Sequence, residues 1–556
     1  MRILLSLVVL LAGLTSASAE SIDIGPAIGT AIPKPFVVHD AAGAISTFDD
    51  LTGPKGAVLV FVRSAKWCPY CQKQLIEMKE AEAPLAQRGY KLVALSYDAP
   101  DVLSRFAAQR EIPYPLLSDA GSKTIDAFKL RDARYKPGSF AWGVPYASIF
   151  PGNETIITYK DLDRACAEVA KFSEKDADTY RMFAERSMAM LPMFMSGLYV
   201  PPLPYGPFMA MLDSSDEGRE ILDAMSRSSL DIIDNAFEDD RVKIHLLKLV
   251  TENLQLPDEL GTGMGIYLMP GIIHTYGVSQ PLGGSGGLTD ALVRCIEAFG
   301  GEIRRNAEVA KIIVSSGRAT GVRMSDGEEF AAKDGVIGAI HPHRLKQFVD
   351  EIPDAVDRRA RRVNTSSQSL FVSHYDLKER TKYYAGEEIT KATMLEYFTF
   401  DRLSELLDDF DHLRRRRIPP RPLTGGGDES HADPSRVPPG AGMFHAITMA
   451  PYNIEGKGPL YWDEIKEAEA DKNLGFYRQF ISNLTDDNII MRSTWSPLDM
   501  ERSSPNSFVN GDMHGAAPFM YQTVGHRPTP DLGQYTVPGA ERLYLVGPFM
   551  HPGGGV

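Results

Sequence analysis

One stretch decides the fold of the N-terminal part of this chain: Trp67-Cys68-Pro69-Tyr70-Cys71. Two cysteines at this spacing, at the start of a helix, can close a disulfide with little movement. The unpaired N–H groups of a helix N-terminus favour a thiolate, so Cys68 is predicted to attack and Cys71 to resolve the mixed disulfide. A zinc site would need a second cysteine or histidine pair, and none follows nearby. The motif therefore predicts redox chemistry and no metal site.

The flanks of this motif predict an α/β sheet. Residues 56–62 form a continuous β-branched and aromatic run, which is typical of a strand buried on both faces. Residues 72–84 then predict a helix that Pro84 ends. Strands and helices continue to alternate downstream, which is the order of an α/β fold. The further predicted elements are strands at 90–96 and 115–119 and helices at 101–109 and 122–128.

The cysteine motif, the turn Ser118-Asp119 and the sequence Gly143-Val144-Pro145 before a strand occur in a recognisable order. In this, residues 25–150 resemble the thioredoxin-like redoxin family, which includes alkyl hydroperoxide reductases and thiol-specific antioxidants. The resemblance implies that Pro145 is a cis-proline facing the cysteine pair. Peroxiredoxins carry Thr or Ser where this chain has Ala65, and the arginine that polarises the peroxide is also missing. These departures favour thiol–disulfide exchange over peroxide reduction.

Length, charge and the N-terminus limit the cellular context. The chain has 556 residues, a net charge of −14 and 4 cysteines, which predicts two to four domains and argues against nucleic acid and against a disulfide-stapled scaffold. A basic start, an apolar run over 3–14 and Ala17-Ser18-Ala19 predict a signal peptide over residues 1–19. No later segment is apolar enough to span a membrane. We therefore expect export to a periplasm or the exterior, with a thiol or disulfide protein or a small redox molecule as partner.

The second region is predicted to cover residues 151–556, after a redoxin domain at 20–150. The junction is ambiguous, because 154–172 could be either the last hairpin and helix of a thioredoxin fold or the opening of the next module. Downstream, a glycine cluster at 283–287 precedes a predicted helix, and strands and hairpin turns follow it. The later features are a glycine-bracketed segment at 511–515, an apolar strand at 543–547 and the terminal glycines at 553–555.

Those features, in that order, resemble the phytoene-desaturase-like flavoproteins, a branch of the amine-oxidase class that includes pyridine nucleotide-disulphide oxidoreductase-domain proteins. The resemblance implies FAD as a cofactor and an α/β plus α+β architecture that is incomplete here at both ends. It places the backbone of Val309 against the adenine of FAD. It places near the flavin the residues of the last segment, namely Gly547, Pro552, Gly553, Gly554 and Gly555. Such proteins are expected in the cytoplasm, which conflicts with the predicted leader.

One essential piece of a flavoprotein is missing from this sequence. FAD binding needs a strand, a G-x-G-x-x-G turn and a helix whose N–H groups hold the pyrophosphate. Neither 261–265 nor 283–287 follows a predicted strand, so we expect FAD to bind weakly or not at all. We also expect the strand at 543–546 to lose a neighbour. Three hypotheses remain: electron transfer between flavin and dithiol, a working redoxin part alone, and a non-enzymatic fusion or truncation product. The first includes an FAD-dependent oxidoreductase or desaturase acting on an apolar substrate.

Overall fold

The computed structural model describes residues 25–34, 36–40, 42–66, 69–130 and 140–554. Trp67, Cys68 and Gly555 therefore lie outside the described residues, as does the predicted signal peptide. The chain divides into two units. The first comprises Met1–Ser139 and Val293–Glu302, and the second comprises Phe140–Leu292 and Ile303–Val556. Both contain helices and strands, so the predicted α/β class is confirmed.

The described part of the first unit is a five-stranded sheet with helices. Its strand order is β2-β1-β5-β4-β3, with β3, β4 and β5 parallel and β1 and β2 antiparallel to their neighbours. The strands are β1 (Val38–His39), β2 (Ile45–Ser46), β3 (Gly56–Phe61), β4 (Tyr90–Ser96) and β5 (Leu116–Ser118). The helices are α1 (Pro69–Glu77), α2 (Lys79–Gln87), α3 (Pro100–Arg110) and α4 (Lys123–Ala127).

Two predictions for this unit are wrong in detail. The helix after the motif does not end at Pro84, because α1 stops at Glu77 and Pro84 lies inside the next helix, α2, which lacks one backbone hydrogen bond there. The strand β3 is not buried like a central strand. It is the last strand in the order of its sheet, and all six of its residues are half-buried.

The described part of the second unit contains three sheets. The largest has the order β18-β14-β17-β16-β15-β7-β8, a second has β10-β11-β20-β13 with β12 and β19 at its side, and β6 pairs with β9. The strands are β6 (Phe140–Trp142), β7 (Val144–Ile149), β8 (Thr155–Thr158), β9 (Ser279–Pro281), β10 (Val309–Ser315), β11 (Arg318–Met324), β12 (Glu329–Ala331), β13 (Val336–Gly338), β14 (Ser369–Leu377), β15 (Ala392–Tyr397), β16 (Thr424–Gly427), β17 (Gly442–Ala450), β18 (Ile489–Trp495), β19 (Thr536–Val537) and β20 (Ala540–Leu545).

Helices cover much of the remaining chain of this unit, and short 3₁₀ turns connect several of them. The helix Ser285–Ala298 begins in this unit, and its residues from Val293 onward are assigned to the first unit. In the part of the chain that the structure describes, no helix is both long and apolar enough to cross a bilayer. The helices are α5 (Leu162–Ala170), α6 (Glu174–Leu198), α7 (Tyr205–Asp213), α8 (Asp216–Ser226), α9 (Ser229–Ala236), α10 (Asp240–Thr251), α11 (Met264–Tyr276), α12 (Ser285–Ala298), α13 (Leu345–Phe348), α14 (Asp354–Ala360), α15 (Leu403–Arg414), α16 (Trp462–Tyr477) and α17 (Pro497–Ser503).

The boundary between the two parts lies earlier than the predicted 150/151. Strand β7 belongs to the large sheet of the second unit, where it pairs in parallel with β15 and antiparallel with β8. Residues 154–172 therefore open the second module, which settles the ambiguity at the junction. The boundary moves because β7 finds hydrogen-bonding partners on both of its edges in that sheet.

The predicted role of Pro145 is also wrong. Among the described residues the cis peptide bonds are Arg527–Pro528 and His551–Pro552, so Val144–Pro145 is trans. Pro145 lies on β7, within the second unit, and not in the sheet that precedes the cysteine motif. The glycine before it serves close packing, since a Cβ on Gly143 would lie 2.9 Å from the carbonyl oxygen of Lys391.

The apolar strand near the C-terminus keeps partners that the sequence did not predict. Strand β20 pairs in parallel with β13 on one side, while β19 and β11 pair with it elsewhere. Its inward residues Leu543 and Leu545 are fully buried, together with Phe549 beyond the strand. The expected loss of a neighbour therefore does not leave this strand unpaired.

Candidate functional site

The described half of the cysteine motif lies at the start of a helix, as predicted. Helix α1 begins at Pro69, so Cys71 lies in its first turn. Cys71 is buried and takes part in a disulfide, whereas Cys166 and Cys295 are free thiols. One turn further, the carbonyl oxygen of Leu75 accepts a short hydrogen bond from the hydroxyl of Tyr114. Burial raises the pKa of Tyr114 to about 12, so this hydroxyl remains a donor at neutral pH.

The loop between β3 and the motif is held by a carboxylate that the sequence analysis missed. The two carboxylate oxygens of Asp98 accept hydrogen bonds from the hydroxyl of Ser64 at 2.8 Å and from the backbone N–H of Ala65 at 2.6 Å. All three residues are buried. The carbonyl of Asp98 in turn accepts from the hydroxyl of Ser118 at 2.6 Å. Asp98 therefore connects the ends of β3, β4 and β5 directly before the cysteine motif.

The loop is also tied to the helix that follows it. The side-chain amide of Gln72 donates to the carbonyl oxygens of Ala65 at 2.8 Å and of Lys66 at 3.2 Å. The N–H of Lys66 donates to the hydroxyl of Ser64 at 3.0 Å. These bonds fix the backbone on both sides of the motif. An aspartate two residues after a strand carries no distinctive sequence signal, which explains why sequence reasoning did not find Asp98.

Pro145 lines a cavity of about 730 Å³ within the second unit. Its walls combine aromatic and cationic side chains, with Arg164 stacked 3.7 Å from the ring centroid of Tyr159 and Lys160 5.8 Å from that of Trp142. The cations are largely occupied, since Arg164 lies 3.6 Å from Glu388 and the Lys160 ammonium donates to a backbone carbonyl at 3.1 Å. The residues around Pro145 therefore belong to this cavity of the second unit.

The residues expected near a flavin are packed against side chains of their own chain. Val309 begins β10 and pairs with Met324 of β11. A Cβ on Gly547 would lie 2.8 Å from the ring of Phe549, and a Cβ on Gly554 would lie 2.8 Å from Nδ1 of His514. Pro552 follows a cis peptide bond. A Cβ on Gly553 would lie 3.5 Å from the guanidinium of Arg527.

Arg527 is a second residue that the sequence analysis missed. It is 2% exposed, and its guanidinium donates to the carbonyl oxygens of Pro548 at 2.7 Å, Ala516 at 2.9 Å and Met550 at 3.0 Å. Burial lowers its pKa to about 10, which leaves it charged at neutral pH. Arg527 therefore holds the C-terminal segment by its carbonyls, in the place where the resemblance put the flavin.

The described residues do not fit the pyrophosphate of FAD. The glycine cluster does follow a short strand, β9, contrary to prediction, but β9 pairs only with β6 in an antiparallel ribbon. The N–H of Gly283 donates to the carboxylate of Asp433 at 2.7 Å, and Asp433 is fully buried. A carboxylate of the chain thus takes a donor at the start of α12, where a phosphate would need it. We derive no chemical step through a flavin.

A buried charge cluster lies in the large sheet of the second unit. The ammonium of Lys248 contacts the carboxylate of Glu396 at 3.1 Å and forms a short bond with Glu252. Lys248 and Glu396 are almost completely buried. Desolvation raises the pKa of Glu396. Desolvation lowers the pKa of Lys248, but the charges of Glu252 and Glu396 outweigh it, so the net direction is upward and Lys248 stays charged.

A neutral histidine lies on the same helix as Lys248. His245 is 1% exposed and its two ring nitrogens lie 2.8 Å from the hydroxyls of Ser148 and Thr158. Burial lowers the pKa of His245 to about 3. The histidine therefore joins α10 to β7 and β8 as an uncharged, fully hydrogen-bonded residue.

Comparisons with known proteins find one family at the N-terminus and relatives of a different kind over most of the chain. Residues 28–160 match the AhpC/TSA family. A phytoene desaturase (lycopene-forming) from Pseudescherichia vulneris is 24% identical over 420 residues, which cover 74% of this chain and 79% of that protein. The chain joins an AhpC/TSA redoxin domain to a phytoene-desaturase-like region. Both are oxidoreductase types, so this is an oxidoreductase with two parts.

Two further proteins are similar to this one over a large part of its length. Pyridine nucleotide-disulfide oxidoreductase domain-containing protein 2 from Mus musculus is 25% identical over 338 residues, 58% of this chain and 57% of that protein. A crystal structure of an oxidoreductase from Methanosarcina mazei aligns at a TM-score of 0.43 and 13% identity, over 90% of this chain and 96% of that one.

The family match and the fold disagree at one place. The AhpC/TSA match extends to residue 160, but β7 and β8 lie in the large sheet of the second unit. The fold decides this point, because β7 has a continuous ladder with both β15 and β8. Among the described residues, the two strands at the end of the matched range thus pair within the sheet of the second unit.

Proposed function

We propose that this two-part oxidoreductase exchanges thiols and disulfides at Cys68 and Cys71. The observation that carries the proposal is Cys71, which is buried in the first turn of α1 and held in a disulfide. The helix N-terminus supplies partial positive charge that favours a thiolate. The loop that Asp98 holds fixes the backbone leading into the motif. Together these features describe a prepared redox motif and not a structural disulfide in a surface loop.

The exchange balances without any further cofactor. The thiolate of Cys68 attacks one sulfur of a substrate disulfide, which forms a mixed disulfide and releases one substrate thiolate. The thiolate of Cys71 then attacks the sulfur of Cys68, which closes the Cys68–Cys71 disulfide and releases the second substrate thiolate. Two electrons pass from the dithiol to the substrate, and the reverse sequence oxidises a substrate dithiol.

Peroxide reduction is less well supported by the residues around the motif. Ala65 brings no hydroxyl to the loop, and its N–H is taken by the carboxylate of Asp98 at 2.6 Å. Thiol–disulfide exchange needs neither a hydroxyl nor an arginine at this place.

The test uses single cysteine variants of the full chain and an aromatic disulfide whose released thiol absorbs light. We expect Cys71→Ser to release one thiol per chain and to remain as a mixed disulfide that mass spectrometry detects. We expect Cys68→Ser to release almost none. Equal trapping at both cysteines, or none in the reduced wild-type chain, would overturn the assignment.

We also propose that the phytoene-desaturase-like region binds FAD weakly or not at all. The supporting observation is the Asp433 carboxylate at the start of α12, together with the side chains that face the C-terminal glycines. Several charge-assisted bonds to the pyrophosphate are then unavailable, at about 1.5–3 kcal/mol each. Flavin absorbance near one equivalent per purified chain after gel filtration would refute this proposal and favour an FAD-dependent reaction on an apolar substrate.

Export is the remaining part of the proposal. The basic start and the small residues at 17–19 support a cleaved leader, and an oxidising compartment suits a dithiol with a polypeptide or small-molecule disulfide partner. Sequencing the N-terminus of the protein from its native source tests this. A mature chain that begins near Glu20 is expected, and an intact Met1 would contradict export through a cleaved leader.

A further inference from the structure

Strand β3 presents an open backbone edge in the redoxin unit. Because the N–H of Val62 donates to the carbonyl of Leu95 across the β3–β4 ladder, the residues that face away from β4 are Ala57, Leu59 and Phe61. Within the described ranges, no hydrogen bond reaches the outward N–H and C=O groups of these three residues. They form a row of unused donors and acceptors.

The side chains of β3 show that the opening lies at its edge and not on a face. Val58 and Val60 pack against the apolar core on one side of the sheet, and Leu59 and Phe61 pack against the core on the other. All the same, every residue of β3 is half-exposed, whereas the interior of β4 is at most 3% exposed. Both faces of β3 are covered, so the surface that remains exposed is its outer backbone edge, where a further strand could pair.

We propose that this edge binds an extended segment of a polypeptide disulfide substrate, which adds to the sheet as a strand beside β3. The proposal rests on the proposed thiol–disulfide exchange. Main-chain pairing supplies the affinity in such strand addition, and it suits many sequences. The chain runs from β3 through the loop of Ala65 into the cysteine motif, so a segment paired with β3 is led toward the reacting sulfurs.

Charge distinguishes a substrate from a second copy of this chain. Lys55, directly before β3, is exposed, and residues 55–63 contain no acidic side chain, so a second β3 brings no carboxylate to Lys55. A substrate segment with an acidic end would pair with Lys55, since opposite charges on neighbouring strands attract. The edge therefore favours a partner strand that is apolar in its centre and acidic at both ends, which brings a carboxylate to Lys55 in either strand direction.

The experiment measures binding of a synthetic peptide to the full chain by fluorescence anisotropy. The peptide has a Val/Thr centre, glutamates at both ends and no cysteine, so binding does not depend on the chemistry. Two N-methylated forms are compared, one blocking the N–H groups of alternate residues and one blocking the others. We expect one form to bind at least about tenfold more weakly than the other, because only one set can pair with β3. Equal affinity of both forms, or no binding of the parent peptide, would overturn the proposal.

A charge variant provides the second readout. We expect Lys55→Glu to weaken the acidic peptide several-fold, while Lys123→Glu, another exposed lysine of the redoxin unit, leaves binding unchanged. If both variants lose the same affinity for the peptide, the effect comes from the overall charge of the protein, which would contradict a binding site at the edge of β3. Light scattering measures whether the chain forms dimers. A dimer that the peptide does not dissociate would show that a second copy of the chain occupies the edge of β3, which would overturn the proposal. Exchange with the small aromatic disulfide is measured in parallel, so a loss there reports failure of the proposed chemistry and not of the binding site.

Discussion

The carboxylate of Asp98 gives the sharpest test of how the motif is held. Its two oxygens accept from the hydroxyl of Ser64 at 2.8 Å and from the N–H of Ala65 at 2.6 Å, and both donors are buried. In Asp98→Ala both bonds are lost, which leaves two buried donors without their acceptor. In Asp98→Asn the shape is kept, but the amide group faces one of the two donors with a donor of its own.

The structure sets the expected magnitude. Each charge-assisted bond contributes about 1.5–3 kcal/mol, so Asp98→Ala should lower the free energy of opening this loop by about 3–6 kcal/mol. Asp98→Asn should cost about half as much. Hydrogen exchange of the backbone amides in residues 62–66, followed by mass spectrometry, measures that local free energy. The exchange should accelerate by about 10²–10⁴ in the alanine variant.

A neighbouring aspartate serves as the matched control. Asp101 pairs with Arg105 at 2.9 Å on the surface of α3, and both side chains are about two-thirds exposed. Asp101→Asn should change stability by less than about 0.5 kcal/mol. The reasoning is refuted if both Asp98 variants exchange within about threefold of the wild type under conditions where the global stability is unchanged.

Two further predictions concern the second unit. The folded pKa of His245, about 3, lies below its unfolded value, so the unfolded chain takes up the proton first as the pH falls. The free energy of unfolding should therefore drop by about 1.4 kcal/mol per pH unit below about pH 6.5. Urea titrations of His245→Gln should show a pH dependence that is shallower by about one proton, and an unchanged slope would contradict the assignment. A Cβ on Gly425 would lie 2.7 Å from Oε1 of Glu396, whereas one on Gly427 would find its nearest neighbour at 3.7 Å. In thermal unfolding, Gly425→Ala should therefore cost about 1–3 kcal/mol and Gly427→Ala almost nothing; equal costs would show that the clash is relieved.

The parts of the fold that depend on local sequence could be predicted. The apolar strand β4 and helix α3 were readable from periodicity and are found close to the predicted bounds, whereas the helix at the cysteine motif was predicted correctly in kind but ends earlier, at Glu77. The open edge of β3 was not predictable, because an apolar run looks the same whether a neighbour is present or not. Pairing is a property of distant segments, and the partner of β7 is more than 240 positions away, at β15.

The same limit applies to the candidate site. The cysteine pair is a local pattern, so sequence alone identified it. Asp98 and Arg527 act through backbone groups that lie far from them in sequence or on another element, and nothing in their immediate neighbours marks them. The glycines of the C-terminal segment were recognised as special, but their purpose was assigned by resemblance. The structure gives them a different neighbour, since Phe549 and Arg527 occupy the space beside them.

One segment, residues 144–158, lies both in the range that matches the redoxin family and in the large sheet of the second unit. In that sheet β7 pairs with both β15 and β8, and His245 adds side-chain bonds to Ser148 and Thr158. These contacts satisfy backbone groups on both edges of β7 and both ring nitrogens of the buried histidine. Strand β3 of the first unit, in contrast, is the last strand in the order of its sheet, and its residues are half-buried. If the exchange that we propose acts on a polypeptide, the backbone edge of β3 is therefore the element that can orient the substrate.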